Sequence, residues 1–554
     1  MLPKAEMSDR QPVSVVTGGG GGIGGAIAEE LGRRGHHVVL LDPMVSLDGS
    51  EKIETSEPGT LERIHAQGGS VDAVDCSVSD SDAVAAVFGE IVGRLGRLDS
   101  VINVAGISRP TTFASGTPQD IAAVLSVHLG GYLNILESAL AHMAPLGRGR
   151  ILGVTSGSGW RPADAGAYGW AKRAVASLTW QLGPIAPGAI AINAMSPIAY
   201  TRMVAAALAR ASGTAGKSTG NLALGAAMPA PAALAPMAAH MVEDPFSWCR
   251  GQVVFLGGPE IAVVDPPRTI EWLALPAHGD LDGYLSTALE RLFLPSEATQ
   301  TTTGASNPRM RSIETTPEVT GSTTPLRCAV VGDDPLLCRT ISERLTGRGL
   351  DVLQGPSPTT NDVATIASLL MGLGELDALV LSSRGPAPSD ADEPWRMVLA
   401  EHRGLAELLE GDGAWAHALA EHARVTNRPL RFIHLLDART SGGRSRSQAV
   451  TQMTRGAVGA TKGLVSAFAV SVESGDAAAA SALAAALVTV PGANALSGAE
   501  LFTGEQCVGL RSHPAATGSL VLGEDPLPPS IDRYLADAMR LPAPGPATTP
   551  REKE

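Results

Sequence analysis

Cysteine is scarce in this chain. Its five copies (Cys76, Cys249, Cys328, Cys338 and Cys507) are scattered through 554 residues without close paired spacing. That excludes a disulfide framework and a metal knuckle, so no metal site is expected. Long apolar runs are also missing, and none reaches the ~18 residues that suggest a membrane span. The longest candidate, Ala477 to Val490, is Ala-rich and follows Asp476, which reads as a packed helix. Positive charge is in deficit: 42 Lys and Arg face 56 Asp and Glu, a net charge of -14. A nucleic-acid partner would demand the opposite balance. The opening MLPKAEMSDR holds no apolar signal core. The expectation is a soluble protein of the reducing cytoplasm.

What is present is alternation. The chain is too long for one ordinary core, which implies at least two domains. Val13–Thr17, 37–42, 70–75, 101–104, 150–155, 189–193 and 252–256 read as strands separated by helix-length segments. Such spacing implies right-handed βαβ units and a mostly parallel sheet. The expected boundaries are a flexible N-terminus at 1–10, a first domain at 11–265 and a helical extension at 266–295. A Ser/Thr/Pro linker at 296–325, a second alternating domain at 326–522, and an extension with a disordered tail at 523–554 follow. The two halves echo each other in order. Leu98-Asp99 recurs as Leu376-Asp377, His128-Leu-Gly130 as His402-Arg-Gly404, and Asp282-Gly-Tyr-Leu285 as Asp532-Arg-Tyr-Leu535. A repeated α/β unit follows.

Val13 to Gly24 reads VSVVTGGGGGIG, a strand running into a glycine turn and a helix. Glycines suit a turn of unusual backbone angles that lets a pyrophosphate approach the amides of a helix N-terminus. Gly18, Gly22 and Gly24 fit those roles, with Thr17 closing the strand. Asp42, ending the second strand, can accept both ribose hydroxyls and would repel a 2′-phosphate, which argues for NAD over NADP. Asp75, ending the third, is a candidate for the adenine amino group. Later, Tyr168 and Lys172 stand four apart on one predicted helix, downstream of Ser156. A phenol titrates near ~10 unperturbed, and an ammonium one turn away favours its ionised form.

Together, Thr17-Gly-x-x-x-Gly22-Ile23-Gly24, Asn103-Val-Ala105-Gly106, Ser156, Tyr168-x-x-x-Lys172 and Asn193-x-x-x-Pro197 resemble the short-chain dehydrogenase/reductase pattern. The resemblance covers roughly residues 10 to 265. It implies a dinucleotide held by the glycine turn, Ile23, Asn103, Ala105, Gly106, Lys172, Pro197 and Thr201. It also implies a Tyr168–Lys172 proton-transfer pair, with Ser156 donating to the substrate oxygen. The Ser156 to Tyr168 spacing is one residue tighter than usual in the family, which leaves Thr155 and Ser158 as alternative donors. His128 stands where many members carry a proton-relaying Asn, and reads either as a relay or as a packed imidazole on a backbone carbonyl.

His128-Leu-Gly-Gly131, Ser196-Pro-Ile-Ala-Tyr-Thr201-Arg-Met203, Ala105-Gly-Ile-Ser-Arg109 and the insertion at 43–59 resemble one branch of that family. It is the (3R)-hydroxyacyl-CoA dehydrogenase domain of type 2 multifunctional enzymes. The branch implies a bulky apolar alcohol or ketone, possibly CoA-linked, with hydroxysteroid and polyketide ketoreductases as the nearer alternatives. An NAD-sensing scaffold is the alternative of another class. Residues 203 to 245, with Met203, Met228, Met237 and Met241, fall where the family places a substrate lid, and the polar stretch 212–221 suggests its mobile tip.

The second half aligns without the chemistry. Gly18 maps to Gly332, but Gly22 and Gly24 map to Leu336 and Cys338, whose side chains would fill the pyrophosphate space. Asp42 maps to Pro356, Ser156 near Asp437, Tyr168 to a buried Val458 and Lys172 to Lys462. The expected fold class is therefore α/β, two tandem Rossmann-type doubly wound domains, the second degenerate. The expected assembly is a homo-oligomer or a pseudo-dimer within one chain.

Overall fold

β1 (Val13–Thr17) is buried along its whole length, as a Val-rich run at the centre of a parallel sheet must be. The computed structural model describes residues 11–53, 59–214, 228–276, 280–300, 326–356, 362–521 and 527–541. β1 pairs in parallel with β2 (His37–Leu41) on one side and β4 (Ser100–Asn103) on the other. The sheet extends through β3 (Ser70–Val74), β5 (Arg148–Val154), β6 (Ala189–Pro197) and β7 (Val253–Gly257), then antiparallel through β8 (Glu260–Asp265). The strand direction of travel reverses between β1 and β4. Ligands of open α/β sheets bind beyond the carboxyl ends of the strands at such a point.

Helices cover both faces. α1 (Gly22–Arg33), α2 (Thr60–Ala66) and α3 (Ser81–Leu95) connect the first strands. α4 (Pro118–Leu125) starts on a capping box between Thr117 and Asp120, passes through a π turn at Ser126–Gly130 and continues as α5 (Gly131–Met143). This helical run, Pro118–Leu146, has the length and mean hydropathy (1.2) of a membrane span, but 61% of its most apolar window is buried inside the protein. α6 (Gly166–Leu182) follows β5, and α7 (Arg202–Thr214) follows β6. α8 (Ala235–His240) lies against α1, with Met237 and Met241 in the core beside Leu31 and Phe246. Those two methionines are core residues rather than lid. The proposed lid tip, 212–221, falls largely outside the described residues.

A second sheet repeats the order. β11 (Asp351–Pro356), β10 (Arg327–Gly332), β12 (Ala378–Ser383), β13 (Leu430–Asp437), β14 (Val465–Val472) and β15 (Glu500–Gly504) run parallel, in that spatial order. β16 (Cys507–Arg511) is antiparallel to β15. Its helices include α10 (Pro335–Gly347), α11 (Val363–Leu373), α12 (Pro394–His402), α13 (Leu405–Thr426) and α14 (Ser441–Arg455). The Ala-rich segment is α15 (Ala477–Thr489), buried in the core as read from sequence.

Each sheet is finished by the other half of the chain. β9 (Thr269–Ala274) leaves β8 and pairs antiparallel with β16, while β17 (Ala515–Val521) leaves β16 and pairs antiparallel with β8. α9 (Leu281–Ala288) then buries Leu285 in the second core. α16 (Ile531–Met539) buries Ile531 and Leu535 in the first, where His240 and Asp532 meet at 2.8 Å. Two expectations are corrected. The 266–295 extension opens as a strand before turning helical, and 515–521 belongs to the first sheet. β9 is largely exposed, an edge strand whose only signal is a distant partner. The reading of 1–10 and most of the linker and tail falls outside the described residues.

The halves share one core. Ile121, Val124 and Trp170 pack with Trp415, Leu419, Val450 and Met453. A Cβ on Gly413 would sit 3.1 Å from the Trp170 ring, tighter than an ordinary contact. Each fully buried large apolar side chain contributes about 1.5–3 kcal/mol. Polar pairs run through the same seam: Ser177 to Ser445 and Gln181 to Ser445, both at 3.0 Å.

Candidate active site

The glycine turn is built by close approach. Gly18 has a positive φ of 64°, and a Cβ there would meet the Ala105 backbone at 2.9 Å. A Cβ on Gly24 would lie 2.2 Å from the Gly18 carbonyl. The Thr17 hydroxyl donates to Asn103 Oδ1 at 2.8 Å and accepts from the Ala105 amide at 3.1 Å, tying the ends of β1 and β4 together. Beyond Gly21 and Gly22 the space is open. Asp42 stands at the rim, accepting from the Gly20 and Met44 amides at 2.8 Å each. These residues fit a dinucleotide: an open cradle at the N-terminus of α1, with a carboxylate at its rim. Asp75 is paired with Lys52 at 2.5 Å, both exposed. Pro197 ends β6, and Thr201 leads into α7, its hydroxyl accepting from the Val204 amide at 3.3 Å.

At the carboxyl end of β5 the chain brings Ser156, Tyr168 and Lys172 together. The Ser156 hydroxyl acts on the Tyr168 phenol, favouring its ionised form. Of the two alternative donors, Thr155 is engaged, donating to the Lys172 carbonyl at 2.5 Å, whereas Ser158 accepts from Arg161 at 2.9 Å and keeps its own proton. Lys172 Nζ lies 5.7 Å from the centre of the Tyr168 ring and donates to the Val154 carbonyl at 2.7 Å. Burial brings the Lys172 ammonium down to about 7. Burial lifts the Tyr168 phenol above its ordinary value, while Ser156 and the Arg161 guanidinium act against that rise.

His128 sits in the π turn with its ring edge-on to Tyr168, centroids 5.0 Å apart. Its Nε2 faces the Ile107 carbonyl at 2.8 Å, and Nδ1 has no partner. Burial, with the Lys172 charge, pulls it down to about 3, so it is a neutral imidazole. Among the described residues no group of three or more His, Cys, Asp or Glu is placed to hold a metal ion. Arg161 beside the phenol was not apparent from the sequence, and its only signal there is its place between Ser156 and Tyr168.

Residues 12–212 match the model of the short chain dehydrogenase family. The short-chain reductase protein NovJ of Streptomyces niveus is 32% identical over 189 residues, 34% of this chain and 69% of the relative. The acetoacetyl-CoA reductase of Cupriavidus necator is 30% identical over 189 residues, 34% of this chain and 74% of the relative. The chain belongs to the short-chain dehydrogenase family. It is an oxidoreductase acting on CH–OH or keto groups, of a family that uses NAD or NADP. Peroxisomal multifunctional enzyme A of Dictyostelium discoideum is 32% identical over 196 residues, 35% of this chain and 44% of the relative. A solved short chain dehydrogenase from Mycobacterium avium is 27% identical, covering 50% of this chain and 95% of its own at a TM-score of 0.41.

The corresponding end of the second sheet is filled differently. Asp334 caps α10 by accepting from the Leu336 and Leu337 amides at 3.0 Å, so its carboxylate holds the donors a phosphate would need. Leu336, expected to fill that space, is instead 65% exposed. Val331 pairs with Gly355 as Thr17 pairs with Leu41, which puts Pro356 in the place of Asp42. The expected equivalence of Tyr168 with a buried Val458 is corrected. The helix after β13 is α14, beginning at Ser441, and Val458 lies beyond it, 42% exposed. The connection from β13 to α14 is short, so a register counted through the longer β5–α6 loop slides off the helix. Beneath α14 a buried ion pair closes the site: Arg446 grips Asp412 at 2.6 and 2.9 Å and donates to the Arg384 carbonyl at 2.7 Å.

Proposed function

We propose that this enzyme interconverts a secondary alcohol and a ketone using NAD, on a 3-hydroxyacyl-CoA or a similarly bulky apolar substrate. The observation that carries the reading is Lys172 Nζ standing 5.7 Å from the centre of the Tyr168 ring, with Ser156 acting on the same phenol and the glycine turn on the same sheet. The bound nicotinamide supplies the hydride acceptor for oxidation or the donor for reduction. Tyr168 takes the hydroxyl proton in one direction and returns it to the carbonyl oxygen in the other. Ser156 orients that oxygen. Lys172, once its charge is stabilised by a ribose, favours the phenolate. Asp42 supports NAD over NADP, because its fixed carboxylate would repel a 2′-phosphate. The relative named for acetoacetyl-CoA supports an acyl thioester.

The second half is read as a dehydrogenase-like body without catalysis, standing as the second subunit of a pair within one chain. Its repeated strand order, self-capped α10 and filled site support this. The test is nicotinamide absorbance with acetoacetyl-CoA, longer 3-oxoacyl-CoAs and hydroxysteroids, using NADH and NADPH. Turnover on the thioesters, abolished in Tyr168→Phe with dinucleotide binding kept, is the expected result. Turnover on steroids alone would move the substrate assignment. Dinucleotide binding with no turnover at all would favour a sensing role.

A further inference from the structure

Between β5 and α6 runs a loop, Gly157 to Ala165, that carries Arg161 and follows Ser156. Within the first half its middle is anchored by Trp160, buried with Ala176 and Phe255, and by Arg173 donating to the Gly159 carbonyl at 3.2 Å. The Ser158 and Arg161 carbonyls are fastened from across the seam. Gln452, on α14 and 3% exposed, sends its amide Nε2 to the Ser158 carbonyl at 3.1 Å and the Arg161 carbonyl at 2.9 Å. Its Cγ also lies against Gly169, the residue after Tyr168, where a Cβ would sit 3.7 Å away. The Gln452 Oε1 atom has no partner. A buried amide with one end unsatisfied and the other on two loop carbonyls is placed for what that end holds.

The held segment carries groups that act on the phenol. The Ser158 amide donates to Ser156 Oγ at 3.2 Å, Arg161 Nη2 donates to Ser158 Oγ at 2.9 Å, and the Arg161 charge acts on Tyr168. The other charged or titratable groups around Tyr168 are Lys172, His128 and Asp164. Lys172 lies on α6 and His128 in the π turn. Asp164, at the end of the loop, is occupied by the Phe113 and Gly166 amides at 2.7 and 2.9 Å. None of these bonds Gln452 directly.

We propose that Gln452 is a positioning residue for the first half's reaction, holding the 157–165 loop so that Ser156 and the Arg161 guanidinium face the Tyr168 phenol. The second half is then more than a structural partner, since it sets the geometry of the loop that completes the site. This rests on the reading of Tyr168 as the proton-transfer group.

The test uses the full chain and the near-ultraviolet absorbance of ionised tyrosine. Subtracting the titration of Tyr168→Phe from that of the parent isolates Tyr168, and the same subtraction is made in a Gln452→Leu background. Leu keeps the bulk and loses the donor. Its Tyr168 midpoint is expected to rise by about half a pH unit or more, because the cation and the hydroxyl are no longer held on the phenol. Gln452→Asn, one methylene short of reaching both carbonyls, should shift it in the same direction and serves if the Leu variant does not fold. A midpoint that neither variant moves would overturn the proposal and leave the Tyr168 reading standing. A parent titration that Tyr168→Phe leaves intact would overturn both.

Discussion

Arg173, the residue after Lys172, turns its guanidinium away from the dinucleotide cradle and onto Glu500 of the second half, and both side chains are buried. The pair is not alone. Arg173 Nε donates to Gln448 at 2.7 Å, and His513 lies 3.8 Å from Glu500. Burial opposes ionisation of Glu500, but Arg173, His513 and Arg511 hold its carboxyl below the usual range. The helix that carries the proton-transfer pair is thus fastened to the second half one residue along.

Removing one partner leaves a buried charge without its counter-ion, which costs about 3–5 kcal/mol. Arg173→Met and Glu500→Leu should each lower the urea midpoint by that order. The double variant should recover most of it, because two apolar side chains fill the same space. A double variant as unstable as the singles would show that the seam depends on packing around the pair, not on the charges.

Lys172 predicts a pH dependence of the ligand-free protein. Its folded value of about 7 lies below the unfolded value of 10.5, because burial penalises the charge. Between those values the unfolded chain binds the extra proton, so stability rises with pH across that window. Below about pH 7 both states are protonated and the burial penalty is felt in full. Lys172→Met should therefore stabilise the protein more at pH 6 than at pH 9, with a difference of roughly 3 kcal/mol. Equal effects on the melting temperature at the two pH values would mean that Lys172 keeps an ordinary ammonium.

Much of this was legible in the sequence, and what was not has a physical reason. β1 to β7 follow from apolar runs at βα spacing. Thr17, Gly18, Asn103, Ser156, Tyr168 and Lys172 follow from local patterns whose spacing the chemistry dictates. The misplacement of Val458 came from a loop-length difference that a linear count does not register. β9 and β17 escaped because their partners lie more than 200 residues away, and an edge strand has little apolar pattern of its own. Gln452 escaped for a similar reason: a polar helix residue declares its role only when the opposite loop is seen against it.

Asp42 sets the expected cofactor choice. Its carboxylate is already held by two backbone amides, so it keeps its place without a ligand. Asp42→Ala should weaken NAD by about 1–3 kcal/mol, the cost of losing hydrogen bonds to a charged acceptor, and narrow its advantage over NADP. Isothermal titration with each dinucleotide decides it. A parent protein that binds NADP more tightly would sink the Asp42 argument.

The exchange of β9 and β17 predicts how the two halves hold together. Each sheet borrows its last strand from the other half, and each core buries a helix from across the exchange, Leu285 in one direction and Leu535 in the other. The covalent connection at 301–325 is then not what keeps them associated. A protease site placed there and cut under native conditions should leave two fragments that co-elute at the parent size and keep activity. Once cut, the contact becomes bimolecular, so the unfolding midpoint should acquire a dependence on protein concentration that the intact chain lacks. Fragments that separate on a sizing column at micromolar concentration would show the exchanged strands to be weaker than their burial implies.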